Sequence, residues 1–433
     1  MYKIFFPAVL LLFFSCGQKN TSNSNDAVQL NSLAEKYVRL GLAIGQYDES
    51  FVDAYYGPDS LKPAMVKTDS VFPKDRFLAE VNMLTNDLKA LEGNANDTIA
   101  KRSAWITSQL KAFERRIKLF GGDSASFEIE TKELYGVTVP VYDTMHFKAI
   151  ANELDSLLPG PGTVNERFQQ LANHFVIPKT KLDTVLKTSI AECRKRTLKY
   201  YALPATETFT LEFVTNKPWS GYNWYKGNYR SVIQINTDLD IFIDRVIDVG
   251  SHESYPGHHV YNMLLEKNLY RDKGWVEISF YPLYSPQSLI AEGSANYGIE
   301  LAFPGDEKIE FAKNVLLPLA GIDTTHISLY FKALELRDEL NFVRNEVCRG
   351  LMNKTMTEKE AVYWLKNFSL MNESAAVKSI SFIKANRSYV INYKYGKRMA
   401  KQYIEKKAGT AVDKKWEAFG WLLSNQVEPS ALQ

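Results

Sequence analysis

The sequence predicts a mainly α fold with one small antiparallel β-sheet, and three observations carry that expectation. Apolar residues recur at three- and four-residue steps from Asn31 to about Leu203, and strict alternation is confined to two short runs near the middle. The helical rhythm then resumes and lasts almost to the end. With 433 residues, 45% of them hydrophobic, the chain is long enough for one large helical unit or two ordinary domains. A net charge of +2, from 52 basic and 50 acidic residues, leaves no electrostatic footprint for nucleic acid, and that partner is set aside.

The first element is an export signal, residues 1–15. MYKIFFPAVLLLFFSCGQKN carries one early charge at Lys3 and an apolar run from Ile4 to Phe14, too short for a span that needs about 20 residues. Ser15 before Cys16 resembles a bacterial lipobox, whose cysteine becomes the lipidated first residue of the mature chain. An ordinary cleaved signal with a chance cysteine is the alternative. On the lipobox reading the protein is exported and anchored to the outer membrane, and it meets the membrane only through that lipid. The lack of an acidic run beside Cys16 favours the periplasmic face. Residues 16–30, polar and without periodicity, read as a flexible tether. Cys193 and Cys348 are too few for a disulfide framework, and their pairing is not legible, nor is the oligomeric state.

Residues 31–205 follow as a helical region. LAEKYVRLGLAIGQY and RFLAEVNMLTNDLKALEG keep the helical step, the second ending on a glycine suited to a C-cap, and YYGPDS and LLPGPGT are breaks. Residues 206–433 form the second region, the two together expected as one cleft-forming unit. It opens with Phe209, Leu211 and Phe213 alternating with polar residues and with the run Val232–Ile235 beyond a Gly/Asn/Trp-rich loop, which predicts a hairpin or meander of 208–214 and 230–236.

Helical rhythm returns at DIFIDRVIDVGSHES and leads into DVGSHESYPGHHVYNML, where three of six histidines fall within eight positions. The start matches H-E-x-x-H, in which two histidines one turn apart share a zinc ion and the Glu faces the water. Here, however, the position four after His252 is Pro256. On an unbroken helix His258 would be turned by about 240° from His252, and His259 would lie about 10 Å further along the axis, so neither would share a metal with it. Pro256 lacks the N–H that would bond the His252 carbonyl, and Gly257 reaches angles closed to other residues. The pair therefore reads as a two-residue insertion that breaks the helix after Tyr255 and re-aims a later imidazole. His258 is the expected second ligand, with His259 beside it holding a ligand or contacting substrate, and the reverse assignment stays open. Polar residues around a simple kink would explain one histidine better than a triplet with an adjoining Glu253.

A third ligand is needed, and Glu292 in SLIAEGSANYGIEL follows an apolar run and precedes small residues that permit close helix packing. Alone it would read as a surface carboxylate; Glu300 is a weaker candidate. Asn296, four residues on, can accept a hydrogen bond from a ligating histidine. The set suits one Zn2+ per chain, with Glu253 as general base. Tyr393 in NYKYGKRMA is the expected donor to a developing oxyanion and Tyr395 the runner-up, although among 24 tyrosines either can be core.

With HESYPGHH at 252–259, AEGSANYG at 291–298 and NYKYGKRMA at 392–400, the chain resembles the bacterial family known as domain of unknown function 885, whose members look like gluzincin-type metallopeptidases. Weaker similarity covers nearly all of the mature chain. The resemblance implies a large helical zincin-like fold with the small sheet beside the active-site helix, His252, His258 and Glu292 as ligands, and Glu253 as base. Three positions depart from it. Ser294 stands where many relatives have tryptophan, and Cys348 and Met352 stand where an acidic residue and a histidine are expected.

The expected activity is zinc-dependent hydrolysis of peptide bonds, as a carboxypeptidase or oligopeptidase acting on a peptide or small amide. Hydrolysis of a non-peptide amide or ester uses the same chemistry, and a tethered binding protein without turnover would keep the same fold. The strand RSVIQIN is a candidate edge for an extended peptide. Residues 378–407 carry nine Lys or Arg against one acid, Glu405. That run reads as a solvated face, or else Arg387, Lys394 or Arg398 binds a substrate's terminal carboxylate.

Overall fold

Helical periodicity becomes helix over most of the chain. The computed structural model describes residues 19–64, 71–217 and 219–433, and it is 66% helical, as the mainly α expectation requires. The first half runs α1 (Lys19–Gly45), β1 (Val52–Tyr55), α2 (Lys74–Glu92), α3 (Asp97–Phe120), α4 (Phe127–Tyr135), α5 (Thr144–Leu157), α6 (Val164–Asn173) and α7 (Leu182–Thr197). Local signals set the ends. Gly93 follows α2 at its C-cap, Asn96 accepts from the N–H groups of Thr98 and Ile99 to start α3, and Thr163 with Glu166 closes a capping box on α6.

The tether expected over 16–30 is helical from Lys19, and Leu30 is already buried. The apolar stripe Leu30, Leu33, Ala34, Tyr37 and Val38 docks α1 on the core. Once that turn is nucleated, each further residue adds a hydrogen bond, so the polar stretch ahead of it joins the helix. The signal at 1–15 and Cys16 lie outside the described residues.

Alternation does mark strands, with a different pairing. β2 (Thr208–Val214), β3 (Gly221–Tyr225) and β4 (Arg230–Asn236) form a sheet of order β2-β4-β3. β2 and β4 are parallel from Thr208 opposite Arg230, not a hairpin, because β3 turns back first and takes the antiparallel place beside β4. The strand RSVIQIN is therefore central with both sides paired, so it cannot accept a peptide as an edge; β2 and β3 are the edges.

The second half continues with α8 (Ile243–Glu253), α9 (His258–Leu265), β5 (Phe280–Pro282), α10 (Pro286–Ala302), α11 (Glu307–Phe311), α12 (Leu317–Ala320), α13 (Ile327–Leu340), α14 (Val343–Met352), α15 (Glu358–Phe368), α16 (Glu373–Asn386), α17 (Ile391–Ala408) and α18 (Val412–Ser424). No break in the core separates the halves: β1 pairs with β5, and buried Arg102 of α3 grips Glu277 with two 2.7 Å bonds. One hydrophobic cluster runs from Leu30 to Leu432. Cys193 and Cys348 are both buried free thiols. No helix among the described residues is long and apolar enough to cross a membrane.

The helix that carries Glu292 is fixed by a close crossing. A Cβ on Gly293 of α10 would stand 2.5 Å from the carbonyl carbon and oxygen of Gly396 in α17, so the two backbones touch where neither has a side chain. Gly293→Ala is expected to cost about 1–3 kcal/mol by forcing these helices apart. Thermal unfolding tests this; an unchanged Tm would show that the crossing yields freely.

Candidate metal centre

His252 and Glu253 end α8, and His258 begins α9. Between them the chain leaves the helix at Ser254 (φ −115°, ψ −92°), passes a cis Tyr255–Pro256 bond, and reaches Gly257 (φ −78°, ψ −138°). The break thus starts just after Glu253, ahead of the position expected. Gly257 lies directly against the end of α8. A Cβ there would fall on the His252 carbonyl oxygen and stand 2.5 Å from both its carbon and the Ser251 carbonyl oxygen. Its N–H donates to the Ser251 carbonyl at 3.2 Å. The fold-back sets the rings of His252 and His258 perpendicular, with centroids 4.6 Å apart.

Glu292 reaches this pair from α10. Its Oε2 lies 3.2 Å from His252 Nε2 and 3.8 Å from His258 Nε2, and one donor atom from each of the three residues lies within 4.8 Å of the others. That oxygen is buried, flanked by two ring nitrogens and without a well-formed hydrogen bond. Two imidazoles and a carboxylate converging on one point are the donors a zinc ion takes, so the residues fit the group. Oε1 accepts the hydroxyl of Tyr389 at 2.9 Å, which fixes the carboxylate's orientation.

Burial and mutual contact set the charges of these groups. Burial lowers the His258 imidazole to about 4, so it is neutral near pH 7, as a ligand must be. Burial pulls His252 down too, but the close Glu292 carboxylate and the charge of Glu253 leave it above the ordinary value. Burial pushes Glu292 up, and the two imidazoles with Tyr389 more than offset it.

Glu253, next in sequence, lines the same cleft and is raised by burial to about 7. Its backbone carbonyl accepts from Asn223 Nδ2 at 2.7 Å, and Gly221 on β3 leaves room beside its carboxylate: a Cβ there would stand 3.0 Å from Oε1. Asp53 of β1 lines the cleft too, bonded by the Tyr222 hydroxyl and pushed by burial to about 6.

The other expected residues divide. Tyr393 lines the cleft, its ring 5.9 Å from that of Tyr389, and its hydroxyl makes no hydrogen bond among the described residues. Asn296 also lines it, but its amide donates to the Glu292 backbone carbonyl (2.9 Å) and bonds neither imidazole. His259 is not brought to the site. It is fully buried, with Nδ1 2.7 Å from Ser231 Oγ and Nε2 3.1 Å from Glu207, so the converging pair is His252 with His258. Tyr395 bonds the Thr138 carbonyl instead, Arg387 pairs with Glu130, and Arg398 pairs with Glu339 and Tyr142; none of the three lines the cleft. Lys394 does, but Asp338 and Glu339 hold its ammonium, and Glu300 is held by Lys397 and Lys401. Cys348 and Met352 touch each other, sulfur to sulfur at 3.5 Å.

Sequence reasoning missed Tyr389, Asp53, Tyr222 and Glu207. Tyr389 stands one turn before Tyr393, a spacing that would have placed both on one face. Glu207 accepts from Tyr255 (2.5 Å) as well as His259, gripping both sides of the break, and is also paired with Arg194. Burial pushes its carboxyl up, but these bonds hold it at about 2.

Two substitutions test this geometry. Gly257→Ala should abolish zinc retention while far-ultraviolet dichroism stays helical, because the break has no room for a methyl group; unchanged zinc stoichiometry would refute the packing argument. Tyr389→Phe should weaken zinc about 10- to 100-fold in a chelator competition. Equal affinity would mean that Glu292 is oriented by other contacts.

No protein-family model matches the chain, and no curated protein matches it. Solved structures were also compared with it by shape. A crystal structure from Colwellia psychrerythraea, described as a candidate lipoprotein, is 16% identical with a TM-score of 0.52; the match covers 82% of this chain and 65% of that one, so this chain spans just under two thirds of its length. A candidate lipoprotein of unknown function from Shewanella oneidensis is 12% identical over 83% of this chain and 72% of that one, TM-score 0.47. Trypanosoma cruzi metallocarboxypeptidase 1 is 12% identical over 92% and 91%, TM-score 0.41. At this distance the Colwellia likeness establishes a common fold and nothing finer.

Proposed function

We propose that the chain is a metal-dependent hydrolase of peptide or related amide bonds, with zinc as its ion, exported and held at the outer membrane through Cys16. The observation that carries this reading is the convergence of His252, His258 and Glu292 in a cleft that also holds the carboxylate of Glu253. A zinc ion held by those three side chains would supply Lewis-acid polarisation of a scissile carbonyl and of water.

The chain's own groups supply the rest. Glu253, with its affinity for protons raised toward neutrality, takes the proton of the attacking water on a carboxylate oxygen and hands it to the leaving amine. The free hydroxyl of Tyr393 donates to the oxygen on which negative charge develops. Tyr389 does not take part in proton transfer; it holds Glu292 in place. A cleft of ≈ 1510 Å³ exceeds the usual range of about 300–1,000 Å³ for drug-sized ligands and suits an oligopeptide. Edge strand β3, with Gly221, Tyr222 and Asn223 lining that cleft, is the edge along which an extended substrate would lie.

The purified chain should hold about one zinc ion, and chelation should stop hydrolysis of a peptide mixture. Glu253→Gln should keep the zinc and lose about 10²- to 10⁴-fold in kcat. Activity that survives Glu253→Gln removes Glu253 as the base. A protein that never retains zinc reverts to a tethered binding module.

A further inference from the structure

One wall of the cleft carries two arginines that make no ion pair among the described residues. α13 and α14 are joined through a tightened turn at Asn341 (φ −65°, ψ −16°) and Phe342 (φ −63°, ψ −20°), whose N–H groups donate to the carbonyls of Asp338 and Glu339. Phe331, Leu334, Arg337, Asn341 and Arg344 line the cleft at steps of three and four, together with Lys332, Glu335 and Asp338 beside them. Arg337 and Arg344, seven residues apart, share a face and stand about 10 Å from each other along the axis.

Neither guanidinium makes a hydrogen bond or ion pair among the described residues. Arg337 rests over the Phe168 ring at 4.7 Å, and Arg344 faces that of Phe382 at 5.6 Å. Arg344 Nε is buried with no partner. The nearby carboxylates are committed elsewhere. Lys394 and Lys397 hold Asp338, Lys394 and Arg398 hold Glu339, and the Tyr330 hydroxyl bonds Asp244 at 2.6 Å. Exposed Glu335 pairs with neither arginine. One turn past Arg344 the chain has Cys348, a thiol that burial keeps neutral. Burial also holds both arginines below their usual range; Tyr330 and Asp244 near Arg337, and Tyr393 and Cys348 near Arg344, offset it only in part.

Arg344 lies beside Tyr393, which in turn lies close enough to Glu292 and Glu253 to feel their charge. An anion at Arg344 would therefore lie on the Tyr393 side of the cleft, and one at Arg337 on the Asp244 side. A half-buried guanidinium without an anion costs stability that a bound carboxylate recovers through charge-assisted, forked hydrogen bonds.

We infer that Arg344 and Arg337 form a two-step anion ladder, and that the substrate is an extended peptide bearing two acidic groups about 10 Å apart, one read by each arginine. That spacing equals about three residues of extended chain. The acid at Arg344 comes either from a terminal carboxylate or from an acidic side chain, and the chemistry is the same. The substrate's identity rests on the hydrolase reading; the anion binding itself needs no turnover.

The test uses zinc-loaded Glu253→Gln protein and an N-terminally labelled Gly-Glu-Ala-Ala-Ala with a free C-terminus, titrated by fluorescence anisotropy. Its C-terminal amide, its Gln analogue and the doubly neutral peptide are titrated alongside. The dianion should bind at least about tenfold more tightly than the doubly neutral peptide, and added NaCl should narrow the gap. Arg344→Met and Arg337→Met, each added separately, should each erase discrimination for one acidic group. The group that Arg344→Met stops reading identifies the source, terminus or side chain. Arg344→Lys should keep part of the discrimination at an unchanged melting temperature, which separates lost recognition from lost folding. Equal binding of all four peptides, or full discrimination in both Met variants, overturns the ladder. If Glu253-dependent hydrolysis of a neutral peptide persists while discrimination is absent, the ladder alone falls. If discrimination is present and wild-type protein cuts none of the four, the hydrolase reading alone falls.

Discussion

The site depends on one steric fact: at Gly257 the chain packs directly against the backbone end of α8, where a side chain of any size would overlap the His252 carbonyl. That contact folds α9 back from α8 and turns two histidines that an unbroken helix would hold apart into a perpendicular pair. Pro256 contributes by having no N–H to continue the α8 ladder. Glu207 holds the outside of the break through Tyr255 and His259, so the third histidine of the motif serves the bend that aims the other two.

A second close approach places the third donor. Gly293 and Gly396 let α10 and α17 touch backbone to backbone, and the residue just before Gly293 on α10 is Glu292. α17 follows directly on the short turn that carries Tyr389, so the same packing that delivers the carboxylate delivers the phenol that orients it. Around this point the buried carboxylates of Glu253 and Glu292 are joined by half-buried Asp53. Burial disfavours several like charges in one place, and a cation bound between them relieves that cost.

Away from the metal ligands the cleft divides by what is already neutralised. The basic run of residues 378–407 is largely structural: Lys394, Lys397, Lys401 and Arg398 bind carboxylates of α10 and α13, and Arg387 binds Glu130. The free cations of the wall come from a different helix pair, where the neighbouring acids are taken or replaced by a thiol. The small sheet borders this cleft through Gly221, Tyr222 and Asn223 of β3 and through Asn236 at the end of β4.

The sequence by itself determined the helical class, the two strands at 208–214 and 230–236, the break in the histidine motif and the candidates His252 and Glu292. Each is set locally: periodicity decides what a segment buries, and Pro-Gly decides where a helix must stop. Tertiary structure alone decided that His258 rather than His259 joins His252, that the two strands run parallel, and that Arg387 and Arg398 are spent on ion pairs. It also placed Tyr389 and Asp53. Those outcomes depend on partners far away in sequence, such as Glu130 with Arg387 or Tyr389 with Glu292, and on which groups each contact leaves without a counter-charge. No local pattern encodes that pairing, because it follows from the packing of whole helices against one another.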